Sequence, residues 1–104
     1  MPATYRIVLT SEARANIRGI GAYIRKHSPE NAKALVDTLL GAIDSLKAMP
    51  MRFRQVGTSK KRKTPVHATV VHPFIVYYSV GQQARTVHIL QVLHGRQRQP
   101  KRFP

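Results

Sequence analysis

Val66-His67-Ala68-Thr69-Val70-Val71, then Phe74-Ile75-Val76-Tyr77-Tyr78-Ser79-Val80, then Arg85-Thr86-Val87-His88-Ile89-Leu90-Gln91-Val92-Leu93: three apolar segments follow one another, separated only by His72-Pro73 and by Gly81-Gln82-Gln83-Ala84. Short runs rich in β-branched and aromatic residues, bounded by turn formers, read as strands. Connections this short can join only antiparallel neighbours. The C-terminal half is therefore read as a three-stranded meander, and the rest of the chain has to cover it.

Upstream, Tyr5, Ile7 and Leu9 alternate with Arg6 and Val8, the period-two pattern of a strand with one buried face, over residues 4–9. This strand must join the meander at an edge or beside its last strand. Thr10 or Ser11 is placed to cap a helix, with Glu12 in its electropositive first turn. The apolar stripe Ala13, Ile17, Ile20, Ile24 carries that helix to about Lys26, with Arg14, Arg18 and Arg25 on other sides. Gly19 and Gly21 weaken it by about 1 kcal/mol each relative to Ala; flanking Ile20, they allow close approach by another helix. Ser28-Pro29-Glu30 starts a second helix: Ser at the cap, Pro where no N–H is missed, an acid in the first turn. Its stripe is Ala32, Leu35, Val36, Leu39, Ile43 and Leu46, and Met49-Pro50 ends it. Helices joined by so few residues form an antiparallel hairpin. Residues 52–65, holding Lys60-Lys61-Arg62-Lys63, read as a solvated basic loop, and residues 97–104 as a mostly extended basic tail. The expectation is one α+β domain over residues 1–104, ordered β-α-α-β-β-β, with the helical hairpin on one face of a four-stranded antiparallel sheet.

At 104 residues the chain can bury a normal core without staples, and its lack of cysteine excludes disulfides, thiol nucleophiles and Cys-based metal sites. No apolar stretch approaches a membrane span, and the N-terminus lacks the regions of a signal peptide, so a cytoplasmic protein without membrane contact is expected. Charge is the strongest compositional signal. Residues 45–104 hold twelve Lys and Arg and no Asp or Glu, a formal +12, whereas the first 44 residues balance six basic residues against Glu12, Glu30, Asp37 and Asp44. A surface of one sign attracts nucleic acid or an acidic protein.

Five histidines raise the question of metal or nuclease chemistry. His67 and His72 are five apart, hence on opposite faces of a single strand; His88 and His94 share a face but lie about 20 Å apart at the strand rise. Neither pair chelates an ion by itself, so no metal and no cofactor is expected. Tyr77 and Tyr78 are adjacent, point to opposite faces, and read first as strand residues.

The string Val92-Leu93-His94-Gly95-Arg96 closing the last strand is the most specific in the chain. Taken with Leu9-Thr10, Ala13, Ile17, Tyr23-Ile24 before Ser28-Pro29, Ala32, Pro50 and Tyr77-Tyr78-Ser79-Val80, in this order and spacing, it resembles the RelE/ParE superfamily of bacterial toxins, most closely the ParE branch. The resemblance spans nearly the whole chain and implies the toxin of a type II toxin–antitoxin pair. Such a toxin is neutralised by a cognate acidic antitoxin whose disordered segment folds onto it in a hetero-oligomer. ParE-like members inhibit DNA gyrase by binding; the alternative, RelE-like, is a ribosome-dependent, metal-independent mRNA endonuclease. RelE-type nucleases commonly carry an arginine where Ser79 stands and a tyrosine beyond the last strand, and this chain has neither. The ParE pattern differs at Asn16, where an acid is usual, and at Gln97, where a second basic residue often follows Arg96. The reading is binding rather than catalysis, with no catalytic residue. The expected target-binding surface is Arg96, Arg98, Lys101 and Arg102 with Arg52, Arg54, Lys61 and Arg62 from the basic loop, and of these the motif supports Arg96.

Overall fold

In the computed structural model, which describes residues 4–103, seven principal elements follow the order expected from the pattern, with one addition: β1 (Arg6–Leu9), α1 (Ser11–His27), α2 (Pro29–Asp44), β2 (Gln55–Thr58), β3 (Pro65–Val71), β4 (Phe74–Gly81) and β5 (Thr86–His94). Thr10 is the cap of α1: its hydroxyl accepts from the Ala13 N–H at 3.2 Å. Ser28 occupies the cap position of α2 ahead of Pro29, but its side chain instead donates to Glu30 Oε1 and accepts from Asn31 Nδ2. The second helix is shorter than its apolar stripe. It ends at Asp44, and 3₁₀ turns at Ser45–Lys47 and Pro50–Arg52 follow, the first of them burying Leu46. The tighter turn keeps Leu46 pointed at the core while bringing the chain round to the sheet.

β3, β4 and β5 form the antiparallel meander, with Val66 opposite Ser79, Val71 opposite Phe74, and Phe74 opposite His94. Two expectations about the sheet need correction. It has five strands, ordered β1-β5-β4-β3-β2, and it is mixed, because β1 runs parallel to β5 from Arg6 opposite Thr86 to Leu9 opposite Ile89. Short connections force antiparallel pairing only between consecutive strands; β1 and β5 are the first and last strands in sequence, and the helical hairpin after β1 lets them pair in parallel. The fifth strand, β2, lies in the segment read as a loop. It has one large apolar residue, Val56, beside a glycine, and a bulge interrupts its pairing with β3 between Gln55 and Gly57. So short an edge strand carries almost no periodic signal.

Both helices lie on one face of the sheet, so the α+β class and the helical layer are as expected. The main core joins Ala13, Ile24, Ala32, Leu39, Ile43 and Leu46 to Phe74, Val76, Tyr78, Val80, Val87, Ile89 and Val92, with Ile17 and Ile20 half-buried against it. The opposite face carries a smaller cluster of Val66, Tyr77, Leu90 and Phe103. A bulge re-phases β5. Tyr77 lies opposite Gln91 and Tyr78 opposite Ile89, so Leu90 is the extra residue that re-phases the strand and returns Val92 to the helical face. Of the two glycines of α1, Gly21 is buried, and a Cβ there would lie 3.3 Å from the Arg25 guanidinium and 4.0 Å from Val36 of α2, whereas a side chain at Gly19 would meet open space.

Candidate functional site: an apolar groove and a cationic edge

α1 extends past the end of β1 and runs beside the last residues of β5. Here helix side chains complete the sheet edge. The Thr10 hydroxyl donates to the Ile89 carbonyl at 2.7 Å, Asn16 Oδ1 accepts the Val92 N–H at 3.0 Å, and Gln91 Nε2 donates to Glu12 Oε1 at 2.7 Å. One strand position further, the His94 N–H donates to Gln97 Oε1 at 2.7 Å. The acceptor role of Asn16 is one a carboxylate would also fill, so the departure from the ParE pattern there preserves the contact.

Between α1 and this part of β5 lies a cleft of about 730 Å³, floored by Ile20, Ile24, Phe74 and Val92 and open over Gly19. Its lips carry Tyr23, His27, His94 and Arg96. Tyr23 is 64% exposed, with its ring 4.2 Å from that of His27. An exposed aromatic over an apolar floor offers the kind of surface on which another protein's side chains can pack. The His94 ring is set edge-on to Phe74 at 5.9 Å, and its Nδ1 accepts the Arg96 N–H at 3.0 Å, which leaves the proton of the neutral ring on Nε2. A smaller hollow of about 300 Å³ on the far side of the His94-Gly95-Arg96 turn, lined by Val70, His72 and Ile75, shares Arg96 with the cleft.

A second surface forms at the β2 edge. The basic run is bent into a tight turn: the Ser59 N–H donates to the Thr64 carbonyl, the Lys63 N–H to the Ser59 carbonyl, and the Arg62 N–H to Ser59 Oγ, with Lys63 left-handed at φ 54°. The C-terminal residues cross the outer face of the sheet to reach it. Tyr77 donates its hydroxyl to Gln99 Oε1 at 2.6 Å, and Phe103, only 3% exposed, packs on Tyr77 with ring centres 5.3 Å apart. Gly57 makes room for Phe103, since a Cβ there would lie 3.0 Å from the ring. The Lys60 N–H donates to the Phe103 carbonyl at 3.1 Å, and Ser59 and Phe103 form a parallel bridge.

The expected target-binding residues thus separate into groups. Lys61 and Arg62 are brought beside Lys101 and Arg102 by the Ser59–Phe103 bridge. Arg96 stands at the groove, with exposed Arg98 two residues on. Arg54 lies on the outer face, where its charge acts on Tyr77. Arg52 is tied into its own chain: its guanidinium donates to the carbonyls of Ala48 and Met49 and to Ser45 Oγ, and it lies 4.6 Å over the Phe53 ring. Sequence reasoning passed over Tyr23, His27 and Phe74 as site residues because each belongs to a regular helix or strand pattern. Among the described residues no three His, Asp or Glu converge as a metal site would require.

Burial is the main cause of each clear tyrosine and histidine shift. It pushes the Tyr78 phenol up to about 12 and raises Tyr77, opposed by Arg52 and Arg54 respectively. His88, on the outer face, is lowered by burial and then by the charges of Arg62 and Arg6. No helix is long and apolar enough to cross a membrane among the described residues.

A helical hairpin on a five-stranded mixed sheet is the fold of the RelE/ParE toxin superfamily. The chain matches solved structures from the chromosomal ParDE toxin–antitoxin system of P. aeruginosa (TM-score 0.68, 18% identity, 89% of this chain and 98% of that one) and from an archaeal RelE–RelB complex of Pyrococcus horikoshii OT3 (TM-score 0.64, 18% identity, 90% and 99%). It also matches a chain of the toxin–antitoxin complex RelBE2 of Mycobacterium tuberculosis (TM-score 0.57, 21% identity, 90% and 94%). By sequence it is 34% identical over 96 residues to a candidate toxin, Y4kP of Sinorhizobium fredii, covering 92% of this chain and 94% of that protein. Residues 7–99 match the family described as ParE toxin of type II toxin-antitoxin system, parDE, and the chain belongs to that family.

Proposed function

We propose that this toxin acts by binding DNA gyrase and is neutralised by a cognate acidic antitoxin, one apolar segment of which fills the groove between α1 and β5. The observation that carries the antitoxin half is the groove: an apolar floor with His27, His94 and Arg96 at its lips. Such a site suits a segment that presents apolar side chains and carries negative charge around them. The N–H groups of Val92 and His94 are already engaged by Asn16 and Gln97, so an added strand would find them occupied. An amphipathic helix is the better occupant.

The gyrase half rests on membership of the ParE family and on the state of the positions an RNA-cleaving site would need. Ser79, where the nuclease branch carries arginine, is 1% exposed, and the hydroxyls of Tyr77 and Tyr78 are held by Gln99 and by the Pro50 carbonyl. General acid–base chemistry on RNA requires groups within reach of the scissile phosphate. The test runs the purified chain against gyrase with relaxed plasmid and, separately, against programmed ribosomes. Loss of supercoiling with intact message is expected; codon-linked cuts with normal supercoiling would replace gyrase by the ribosome and mRNA as target.

A further inference from the structure

We infer that the basic turn and the C-terminal tail, joined at the β2 edge, form a binding surface for the phosphate backbone of duplex nucleic acid, separate from the apolar groove. The surface needs no gyrase and so stands or falls apart from the reading above. Its cations are Lys60, Lys61, Arg62, Lys63, Lys101 and Arg102, drawn from two segments some forty residues apart in sequence and brought together by the Ser59–Phe103 bridge and the Lys60 N–H to Phe103 carbonyl bond. No Asp or Glu side chain occurs in residues 45–104 to offset them.

Three features favour phosphate over other polyanions. The surface is built rather than loose: Ser59 pins the turn through its backbone and hydroxyl, and buried Phe103 anchors the tail. Ordered cations lose less freedom on binding than free side chains on a mobile loop. Next, the exposed large apolar residues among those described are Tyr23, Leu40, Met49, Met51 and Val70, none of which belongs to this turn or tail. A protein partner draws its affinity from buried aromatic and aliphatic anchors, whereas a phosphate backbone is held chiefly by cations and needs no such anchor. Finally, Phe103 and Tyr77 are buried, so no aromatic ring is offered for stacking unpaired bases, and a duplex suits the surface better than a single strand. The lowered pKa of His88, partly the work of Arg62, shows the same positive field reaching the outer face. In the sheet, β4 and β3 lie between β5, which borders the groove, and β2, which borders this surface.

The test is fluorescence anisotropy of a labelled mixed-sequence DNA duplex with the full chain, repeated from about 50 to 200 mM salt. With about 4–6 phosphates neutralised, affinity should fall by roughly 10² to 10³ over that range, following a slope of about −0.9 per contact. The paired variants K61Q/R62Q and K101Q/R102Q should each weaken binding about tenfold or more and flatten the slope by about 2. The pair R14Q/R18Q removes the same charge from exposed positions on α1 and should change affinity less than about twofold. Phe103→Ala keeps every charge but frees the tail, and should weaken binding at unchanged net charge. Equal losses from all three charge pairs would reduce the effect to net charge and overturn the proposal. So would wild-type affinity in Phe103→Ala, or tighter binding of the single strand than of the duplex.

Discussion

The groove beside α1 and the cationic β2 edge differ in what holds them and in what they can hold. The groove lies against the main core: Ile20, Ile24, Phe74 and Val92 belong to or pack on the principal cluster, and Gly19 on its wall adds no side chain to it. The edge rests on the smaller outer cluster and is kept in place by one aromatic residue, Phe103. Apolar burial is nearly indifferent to salt, whereas exposed charges lose their reach as the Debye length falls from about 10 Å at 0.1 M to about 3 Å at 1 M. One small toxin therefore presents two surfaces that ionic strength can separate. A partner in the groove should remain bound in high salt, and a partner on the edge should leave.

The largest expected effect comes from the main core beneath the groove. Ile43 is 4% exposed between α2 and the sheet, so Ile43→Ala should cost about 2–5 kcal/mol in chemical unfolding, while exposed Arg18→Ala costs less than about 0.5 kcal/mol. The opposite ranking would mean that the helices are rotated from the phase described. Next in size, Tyr23→Ala should weaken antitoxin binding by about 2 kcal/mol, roughly thirtyfold, at unchanged thermal stability, because an exposed ring is an anchor for a partner and not for the fold. Calorimetry showing the same loss on raising salt alone would merge the groove with the edge.

A smaller effect tests the inner face of the sheet. Tyr78→Phe leaves the Pro50 carbonyl without its donor and should cost about 1 kcal/mol. The Tyr78 phenol rises from 10.0 to about 12 in the folded chain, so its contribution is intact below pH 10 and is lost as pH climbs toward 12. Tyr78→Phe should remove that alkaline step from a stability profile, and an unchanged profile would show that burial at Tyr78 does not set it. The smallest effect concerns the outer face. His88 is lowered from 6.5, so the folded chain favours the neutral ring; its contribution is present above pH 6.5 and lost as pH falls through the folded value. Arg62→Gln should move the His88 titration, followed by NMR, back toward 6.5. No movement would detach the basic turn from the outer face.

The amino-acid sequence determined the meander, both helices and their common face, because these depend on local periodicity and on connections too short to allow anything but antiparallel pairing. It also carried the concentration of positive charge and the His94-Gly95-Arg96 string, which lies within the residues that match the ParE toxin family. It could not show β2, whose four residues include a single large apolar side chain, nor the parallel direction of β1, which depends on how the first strand meets the last. Phe103, in a tail read as extended, packs on Tyr77 and draws Lys101 and Arg102 to the basic turn. The pairing of β1 with β5 and the docking of Phe103 were decided by tertiary structure, because each is a meeting of residues far apart along the chain, where burial and hydrogen bonding act between partners that no local pattern pairs.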